Sequence, residues 1–227
     1  MLKKNIPNFI TLGNLLCGAL AINFIFSNEF VVASWLIALA ALFDFADGFV
    51  ARMLKVSSPM GKELDSLADL VTFGLAPAFM LLRLFPDQTS PLRYGMFLIA
   101  LCAAWRLAKF NIDTRQSDSF LGLPTPANAL FIGAFPLIMV QNPSIQSWLN
   151  PTIYLIIAVF LSVIMVVELP LFSLKFKQFG FAENKVRYLF LAASILLLFM
   201  LKFIALPLIV FMYILISLFV HLSQKPA

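Results

Sequence analysis

The chain has 227 residues, of which 62% are hydrophobic and only 12% are charged, and its mean hydropathy is +0.96. Soluble domains carry about 25% charged residues, so this composition excludes an ordinary water-soluble domain and indicates a protein that crosses a membrane several times. The formal net charge of +5 comes mainly from loop lysines and arginines, which suits contact with anionic membrane lipids and gives no reason to expect a nucleic acid partner.

Apolar runs recur along the whole chain, and many approach the roughly 20 residues that a helix needs to cross a ~30 Å hydrocarbon core. They predict an all-α membrane bundle of about eight transmembrane helices, within a range of about six to eight. The predicted spans are 9–27, 30–51, 63–85, 92–111, 125–141, 151–168, 187–201 and 203–222. Only Lys202 divides the last two spans. No Ser/Thr-rich linker or low-complexity tract interrupts the sequence, so residues 1–227 are predicted to form one integral-membrane domain.

Positive charge predicts how the helices are oriented. With the N-terminus in the cytoplasm, thirteen of the 16 lysines and arginines lie at the cytoplasmic side of the predicted spans. Cytoplasmic loops of membrane proteins carry such an excess. The longer loops fall on the same side, at 52–62, 112–124 and 169–186. We therefore predict that both termini are cytoplasmic, and that the protein lies in the cell (inner) membrane with its functional loops facing the cytoplasm.

Four aspartates stand close together at the end of the second predicted span and the start of the third: Asp44, Asp47, Asp65 and Asp69. Residues three or four apart share one face of a helix, and the short connection makes these two helices antiparallel neighbours. Four carboxylates at low dielectric are costly, and too few basic residues lie nearby to neutralise them. Their oxygen ligands predict a site for Mg²⁺, Mn²⁺ or Ca²⁺. Carboxylates that only cap helices or face water would explain one aspartate better than four.

The residues between the two pairs of aspartates predict an anionic ligand. Gly48 lies inside a helical pattern, where it costs about 1 kcal/mol relative to alanine and leaves room for a ligand near the backbone. Arg52 carries a planar guanidinium that suits phosphate. Ser58 followed by Pro59 has the pattern of an N-cap, which would direct the positive end of the third helix toward the same region. With the carboxylates, these features suggest a diphosphate substrate.

The spacing Asp44-x2-Asp47-Gly48-x2-Ala51-Arg52-x8-Gly61-x3-Asp65-x3-Asp69 resembles the motif of the CDP-alcohol phosphatidyltransferase family. Enzymes of this family displace CMP from a CDP-linked lipid with an alcohol. The resemblance implies that the four aspartates surround two divalent cations, Mg²⁺ or Mn²⁺, and that Asp69 is also the general base. It implies a homodimer in the membrane. It further implies contacts with the CDP-lipid from Gly48, Ala51, Arg52, Ser58 and Gly61.

Two further segments resemble the phosphatidylserine synthase branch of that family: IPNFITLGNLLCG at 6–18 and WRLAKFNIDTRQSDSFLGLPTPANA at 105–129. The resemblance implies that CDP-diacylglycerol and L-serine are the substrates. It also implies contacts with the cytidine end of the CDP-lipid from Asn8, Thr11 and Asn14. Arg106 and Lys109 share a face at the cytoplasmic end of the fourth span, where they could bind the carboxylate of serine or a lipid phosphate. Snorkelling of these cations to the membrane interface is the alternative.

Other functions stay open at the level of sequence. Glycerol 3-phosphate or inositol phosphate could be the acceptor, although a phosphorylated acceptor should require more basic residues, and an archaeal CDP-lipid could be the donor. A cation transporter is the alternative of a different class, but transport sites tend to lie near the bilayer midplane. Glu168 could pair with a lysine or bind an amino group. The segment 168–181, with Lys175 and Lys177, is predicted to lie on the lipid head groups.

Overall fold

The computed structural model of the chain describes residues 2–113, 119–172, 180 and 184–224. Most of these residues are helical, which confirms the prediction of an all-α membrane bundle. The helices are α1 Leu2–Phe26, α2 Phe30–Leu54, α3 Pro59–Asp69, α4 Ala76–Leu84, α5 Leu98–Ile112, α6 Thr125–Gln141, α7 Pro151–Val166, α8 Lys185–Leu201 and α9 Ala205–Gln224. A π-helix, Leu70–Leu75, joins α3 to α4 without a break, and short 3₁₀ helices precede α5, α7 and α9 at Pro91–Phe97, Pro143–Trp148 and Lys202–Ile204.

Five helical stretches among the described residues are long and apolar enough to cross a membrane: Asn5–Phe26, Phe30–Leu54, Pro59–Leu84, Pro91–Ile112 and Lys185–Leu222. The helices α6 and α7 are also apolar but shorter. Two predicted spans, 9–27 and 63–85, begin too late, because they marked only the apolar stretches. The helix α1 extends back to Leu2, and α3 begins at Pro59. Both helices therefore continue past the apolar stretch, on the side where the aspartates lie.

The last stretch, Lys185–Leu222, folds back on itself. A continuous helix of its 38 residues would be about 57 Å long, nearly twice the ~30 Å hydrocarbon core. The chain turns at Lys202, whose φ is +51°. The rings of Phe190 in α8 and Tyr213 in α9 pack with their centroids 5.7 Å apart. The helices α8 and α9 are therefore antiparallel neighbours, as the two separate predicted spans require.

The first helix packs closely against the helix that carries the second pair of aspartates. A Cβ atom on Gly18 would lie 2.1 Å from the hydroxyl oxygen of Thr72, in the π-helix. The Thr72 hydroxyl donates to the backbone carbonyl of Asn14, over 3.1 Å. Only glycine allows this approach, and it brings the polar residues of α1 next to the aspartates.

A short antiparallel sheet, which the sequence analysis did not predict, joins the segment before α6 to the segment after α7. Its strands are β1 Ser119–Leu121 and β2 Pro170–Phe172. Gly122 follows β1 with φ +75°, and a Cβ atom there would lie 2.4 Å from the carbonyl oxygen of Met165. The backbone N–H of Leu123 donates to the carbonyl of Ile164, over 3.0 Å. The start of α6 is therefore fixed against the end of α7.

Part of the predicted interfacial segment 168–181 falls outside the described residues, including Lys175 and Lys177. Its beginning is described and forms β2, and its location on the lipid head groups stays a prediction. The assignment of the aspartate side of the bundle to the cytoplasm stays a prediction.

Candidate active site

Three of the four predicted metal ligands lie together where α2 ends and α3 begins. Carboxylate oxygens of Asp44, Asp47 and Asp65 all lie within 4.8 Å of one another. Two of the three come from α2 and one from α3, so the antiparallel pair converges as its spacing predicted. Asp69 lies one helical turn beyond Asp65 and is buried, with 7% of its surface exposed.

The four carboxylates lack ion-pair partners within the part of the chain that the structure describes. The one salt bridge found there joins Lys109 to Glu168. One carboxylate oxygen of Asp65, Oδ1, is buried and has no hydrogen-bond partner. Acidic groups that share a buried region without ion-pair contacts are costly. A divalent cation would relieve this cost, and an all-carboxylate donor set suits Mg²⁺ or Mn²⁺.

The helix α1 positions two of the aspartates by hydrogen bonds. The hydroxyl of Thr11 donates to the carboxylate of Asp47 over 2.6 Å. One turn further along, the side-chain amide of Asn14 donates to the carboxylate of Asp69 over 3.1 Å. Both donors are buried. The sequence resemblance implied that they contact the cytidine, whereas the structure places them on the carboxylates.

A cavity of 320 Å³ opens beside Asp47 and Asp65 and is closed on one side by the N-terminus of α3. Ser58 is the N-cap of that helix and accepts a hydrogen bond from the backbone N–H of Gly61 over 2.9 Å, as predicted. The positive end of α3 therefore faces the cavity, which favours an anionic group there. The residues that line the cavity are Pro7, Asn8, Thr11, Asp47, Gly48, Ala51, Val56, Ser57, Ser58, Gly61, Lys62 and Asp65.

Most of the predicted contacts with the CDP-lipid line this cavity: Asn8, Thr11, Gly48, Ala51, Ser58 and Gly61. A Cβ atom on Gly48 would meet only the guanidinium of Arg52, at 3.7 Å. Packing within the described residues therefore does not require a glycine at this position, and Arg52, although outside the cavity lining, lies next to it. Asn14, also predicted as a contact, is fully buried and lies outside the cavity lining.

The two predicted acceptor-binding cations occupy different environments. Arg106 on α5 is buried, interacts electrostatically with Asp69 and with Tyr213 of α9, and has no hydrogen-bond partner for its Nε atom. The ammonium of Lys109 forms an ion pair with Glu168 over 2.6 Å, and both side chains are partly exposed. The structure therefore brings Arg106 to the aspartates and assigns Lys109 a protein partner. For Glu168, the ion pair is one of the two alternatives that the sequence left open.

The family model described as CDP-alcohol phosphatidyltransferase matches residues 4–164, which include all four aspartates and the whole lining of the cavity. This chain belongs to that family. The resemblance predicted from the aspartate motif is thereby confirmed, and the match continues through α6 into α7. The α8–α9 hairpin lies outside the matched residues.

Three similar proteins share the name CDP-diacylglycerol–serine O-phosphatidyltransferase. The protein from Helicobacter pylori is 32% identical over 225 residues, covering 84% of this chain and 93% of the relative. The protein from Bacillus subtilis is 41% identical over 125 residues, covering 53% and 69%. The protein from Methanocaldococcus jannaschii is 39% identical over 130 residues, covering 57% and 59%.

One cation beside the cavity was missed by sequence reasoning, which counted Lys62 only among the cytoplasmic-side charges. Its ammonium donates to the backbone carbonyl of Asn111, at the end of α5, and the residue lines the cavity. The side chain of Asn111 donates to the hydroxyl of Ser66 over 2.9 Å, so it joins two helices and does not cap its own. The position of Lys62 directly after Gly61, in the first turn of α3, was the signal that could have revealed it.

Proposed function

We propose that this protein is an integral-membrane transferase that moves a phosphatidyl group from CDP-diacylglycerol to L-serine, releasing CMP and forming phosphatidylserine. The observation that carries the proposal is the trio of carboxylates within 4.8 Å of one another beside a cavity with a helix N-terminus. The family match supports the reaction class, and the shared name of the three relatives supports serine as the acceptor.

We further propose that Asp44, Asp47 and Asp65, together with Asp69, hold two divalent cations, Mg²⁺ or Mn²⁺. The carboxylate donors and the unpartnered Oδ1 atom of Asp65 fit such ions. When bound, the ions would neutralise the diphosphate and stabilise the departing CMP. Thr11 and Asn14 would fix two of the carboxylates in the orientation that binding requires.

The cavity is the proposed binding site for the CDP end of the donor lipid. Its volume of 320 Å³ lies at the lower end of the range for small-molecule pockets, about 300–1,000 Å³. Gly48 would let the diphosphate approach the backbone of α2. The small residues Ala51 on α2 and Gly61 on α3 would leave further room for it in the cavity. The N-terminus of α3, capped by Ser58, and the guanidinium of Arg52 would attract its negative charge. Asn8 would contact the cytidine.

Asp69 is the proposed general base. It is buried one turn deeper along α3 than Asp65, and its carboxylate is held by Asn14. A weakly nucleophilic alcohol needs such a group to take its proton as it attacks. The residues of the motif supply no cysteine, histidine or serine nucleophile, so the hydroxyl of serine would attack the diphosphate directly. Arg106, beside Asp69, would hold the carboxylate of serine with charge-assisted hydrogen bonds.

Lys109 has a different role in this proposal. Its ion pair with Glu168 joins the end of α5 to the segment after α7, and this favours positioning over contact with serine. The snorkelling alternative therefore applies in part to Lys109, whose ammonium is partly exposed, and not to the buried Arg106.

The placement in the cell is also proposed. The excess of lysine and arginine on the aspartate side favours an active site that faces the cytoplasm, in the cell (inner) membrane. We propose that residues 1–227 act as one domain. We also propose that two copies form a homodimer, and this second proposal rests on the family resemblance alone.

An acceptor panel tests the function. Purified protein in lipid nanodiscs receives CDP-diacylglycerol, Mg²⁺ or Mn²⁺, and one labelled acceptor: L-serine, glycerol 3-phosphate or inositol phosphate. Serine should enter the lipid fraction with release of one CMP per product. Incorporation of another acceptor, with none of serine, would overturn the serine assignment. Ion flux without CMP release would instead support the transporter alternative.

A further inference from the structure

Two polar side chains at the start of α6 are buried without partners. Asn128 has no exposed surface, and neither its Nδ2 nor its Oδ1 atom forms a hydrogen bond. Thr125, one turn earlier, is 1% exposed, and its hydroxyl is also unpartnered. Buried polar atoms in proteins are nearly always satisfied. A buried amide that lacks a partner for both its donor and its acceptor indicates that a bound molecule completes its hydrogen bonds.

The packing of α6 on α2 places these two side chains at the depth of the aspartates. A Cβ atom on Gly133 would lie 3.9 Å from Ile37 of α2, and the two helices run in opposite directions. Asp44 lies seven residues beyond Ile37, about 10.5 Å along the axis. Asn128 and Thr125 lie five and eight residues before Gly133, about 7.5 and 12 Å along the axis. Both therefore lie within about one helical turn of the level of Asp44.

The contacts of α9 connect the same region to Arg106. Phe131, which shares a helix face with Asn128, packs on Phe211 of α9 with ring centroids 5.7 Å apart. Tyr213, two residues further toward the aspartate side, interacts electrostatically with Arg106. The Nε atom of Arg106 is a further buried donor without a partner. Both α5 and α6 also pack against the π-helix Leu70–Leu75, directly after Asp69. Their unsatisfied groups therefore lie near one another, at the level of the aspartates.

We propose that Thr125 and Asn128 bind the amino-acid part of the acceptor beside Arg106 and determine that the acceptor is a zwitterion. This inference rests on the proposed function. A side-chain amide offers one acceptor and two donor hydrogens. Its Oδ1 atom accepts from the ammonium of serine, while Nδ2 and the Thr125 hydroxyl donate to the carboxylate that Arg106 holds. An amino alcohol without the carboxylate leaves the donors unpaired, and a hydroxy acid without the ammonium leaves Oδ1 unpaired.

The test compares Asn128→Ala, Asn128→Asp and Thr125→Val with the wild-type protein, using L-serine, ethanolamine and 3-hydroxypropionate as acceptors. Loss of hydrogen bonds to a charged group should raise the KM for serine by about 10- to 100-fold in Asn128→Ala. The KM for CDP-diacylglycerol should not change. Asn128→Asp keeps an acceptor for the ammonium and repels the carboxylate, so it should lower the preference for serine over ethanolamine more than Asn128→Ala does.

The matched control is Ser34→Ala. Ser34 is a buried hydroxyl on α2 whose hydrogen bond to the carbonyl of Phe30 is made within its own helix, over 2.9 Å. It lies ten residues from Asp44, about 15 Å along the axis. Its replacement should leave both KM values and the acceptor preference unchanged.

The outcomes separate this inference from the proposed function. A wild-type protein that does not use serine removes both. A wild-type protein that uses serine, with an unchanged KM for serine in both Asn128→Ala and Thr125→Val, overturns the inference alone. A loss confined to kcat also overturns it, because it indicates a structural role. If Asn128→Ala does not fold, the nearly isosteric Thr125→Val decides.

Discussion

Replacing Gly48 with alanine should stabilise the protein and weaken its binding of CDP-lipid. In the structure a Cβ atom at this position enters the cavity and meets only the guanidinium of Arg52, at 3.7 Å. Alanine therefore fits the unliganded chain and should gain up to about 1 kcal/mol in the free energy of unfolding, from helix propensity. If the diphosphate lies against the backbone there, the methyl group overlaps with the ligand.

The size of the loss follows from the cost of overpacking, typically about 1–3 kcal/mol for an added methyl group at a filled site. At about 1.4 kcal/mol per tenfold change in affinity, the Kd for CDP-diacylglycerol should rise by about 5- to 150-fold. Gly133→Ala is the matched control, because its Cβ atom would make an ordinary contact with Ile37, 3.9 Å away and outside the cavity.

Thermal unfolding in detergent and equilibrium binding of CDP-diacylglycerol, both with Mg²⁺ present, give the two measurements. Both variants should unfold at a higher temperature than the wild type, and only Gly48→Ala should bind the lipid more weakly. If Gly48→Ala binds CDP-diacylglycerol as tightly as the control, the diphosphate does not approach α2, and the proposed position of the donor lipid is wrong.

Three further predictions concern the charged groups of the site. Chelation with EDTA should abolish CMP release and weaken the binding of CDP-lipid, and added Mg²⁺ or Mn²⁺ should restore both; full turnover after exhaustive dialysis would contradict the cation site. Asp69→Asn should keep CDP-lipid binding and lower kcat by about 100-fold or more, whereas Asp47→Asn should weaken the binding itself, and equal mild losses in both would argue against separate roles. Arg106→Ala should raise the KM for serine more than that for CDP-lipid. Lys109→Ala should lower thermal stability with little change in the KM for serine. A higher KM for serine in Lys109→Ala, but not in Arg106→Ala, would assign the binding of the serine carboxylate to Lys109 instead.

The trio of aspartates and the N-cap of α3 could be predicted because each depends on neighbours close in sequence. Asp44 and Asp47 share a helix face by spacing alone, and Ser58 with Pro59 is a local signal for a helix start. The short loop between α2 and α3 leaves one way for the two faces to meet. The structure confirms that convergence for Asp44, Asp47 and Asp65.

Other features depend on contacts between distant parts of the chain, so the sequence did not reveal them. Lys109 pairs with Glu168 across 59 positions, and the strands β1 and β2 are only three residues each, too short for a periodic pattern. Asn14 has the sequence signature of a ligand contact, but the packing of α1 buries it against Asp69. The missing hydrogen bonds of Asn128 become visible only when the surrounding helices are in place.

The π-helix that follows Asp69 has a consequence for how this helix can vary among related proteins. A π-helix holds about one more residue per turn than an α-helix. Each residue of an α-helix turns the chain by about 100°, so the faces of α3 and α4 are offset by about that angle. Before it, the helix presents Asp65 and Asp69 to the site; after it, Ala78, Met80 and Leu81 are fully buried in the core. Deletion of a single residue within Leu70–Leu75 would therefore turn one half of the helix away from its partners. Natural variation should accordingly include very few changes of length between Asp69 and Ala76.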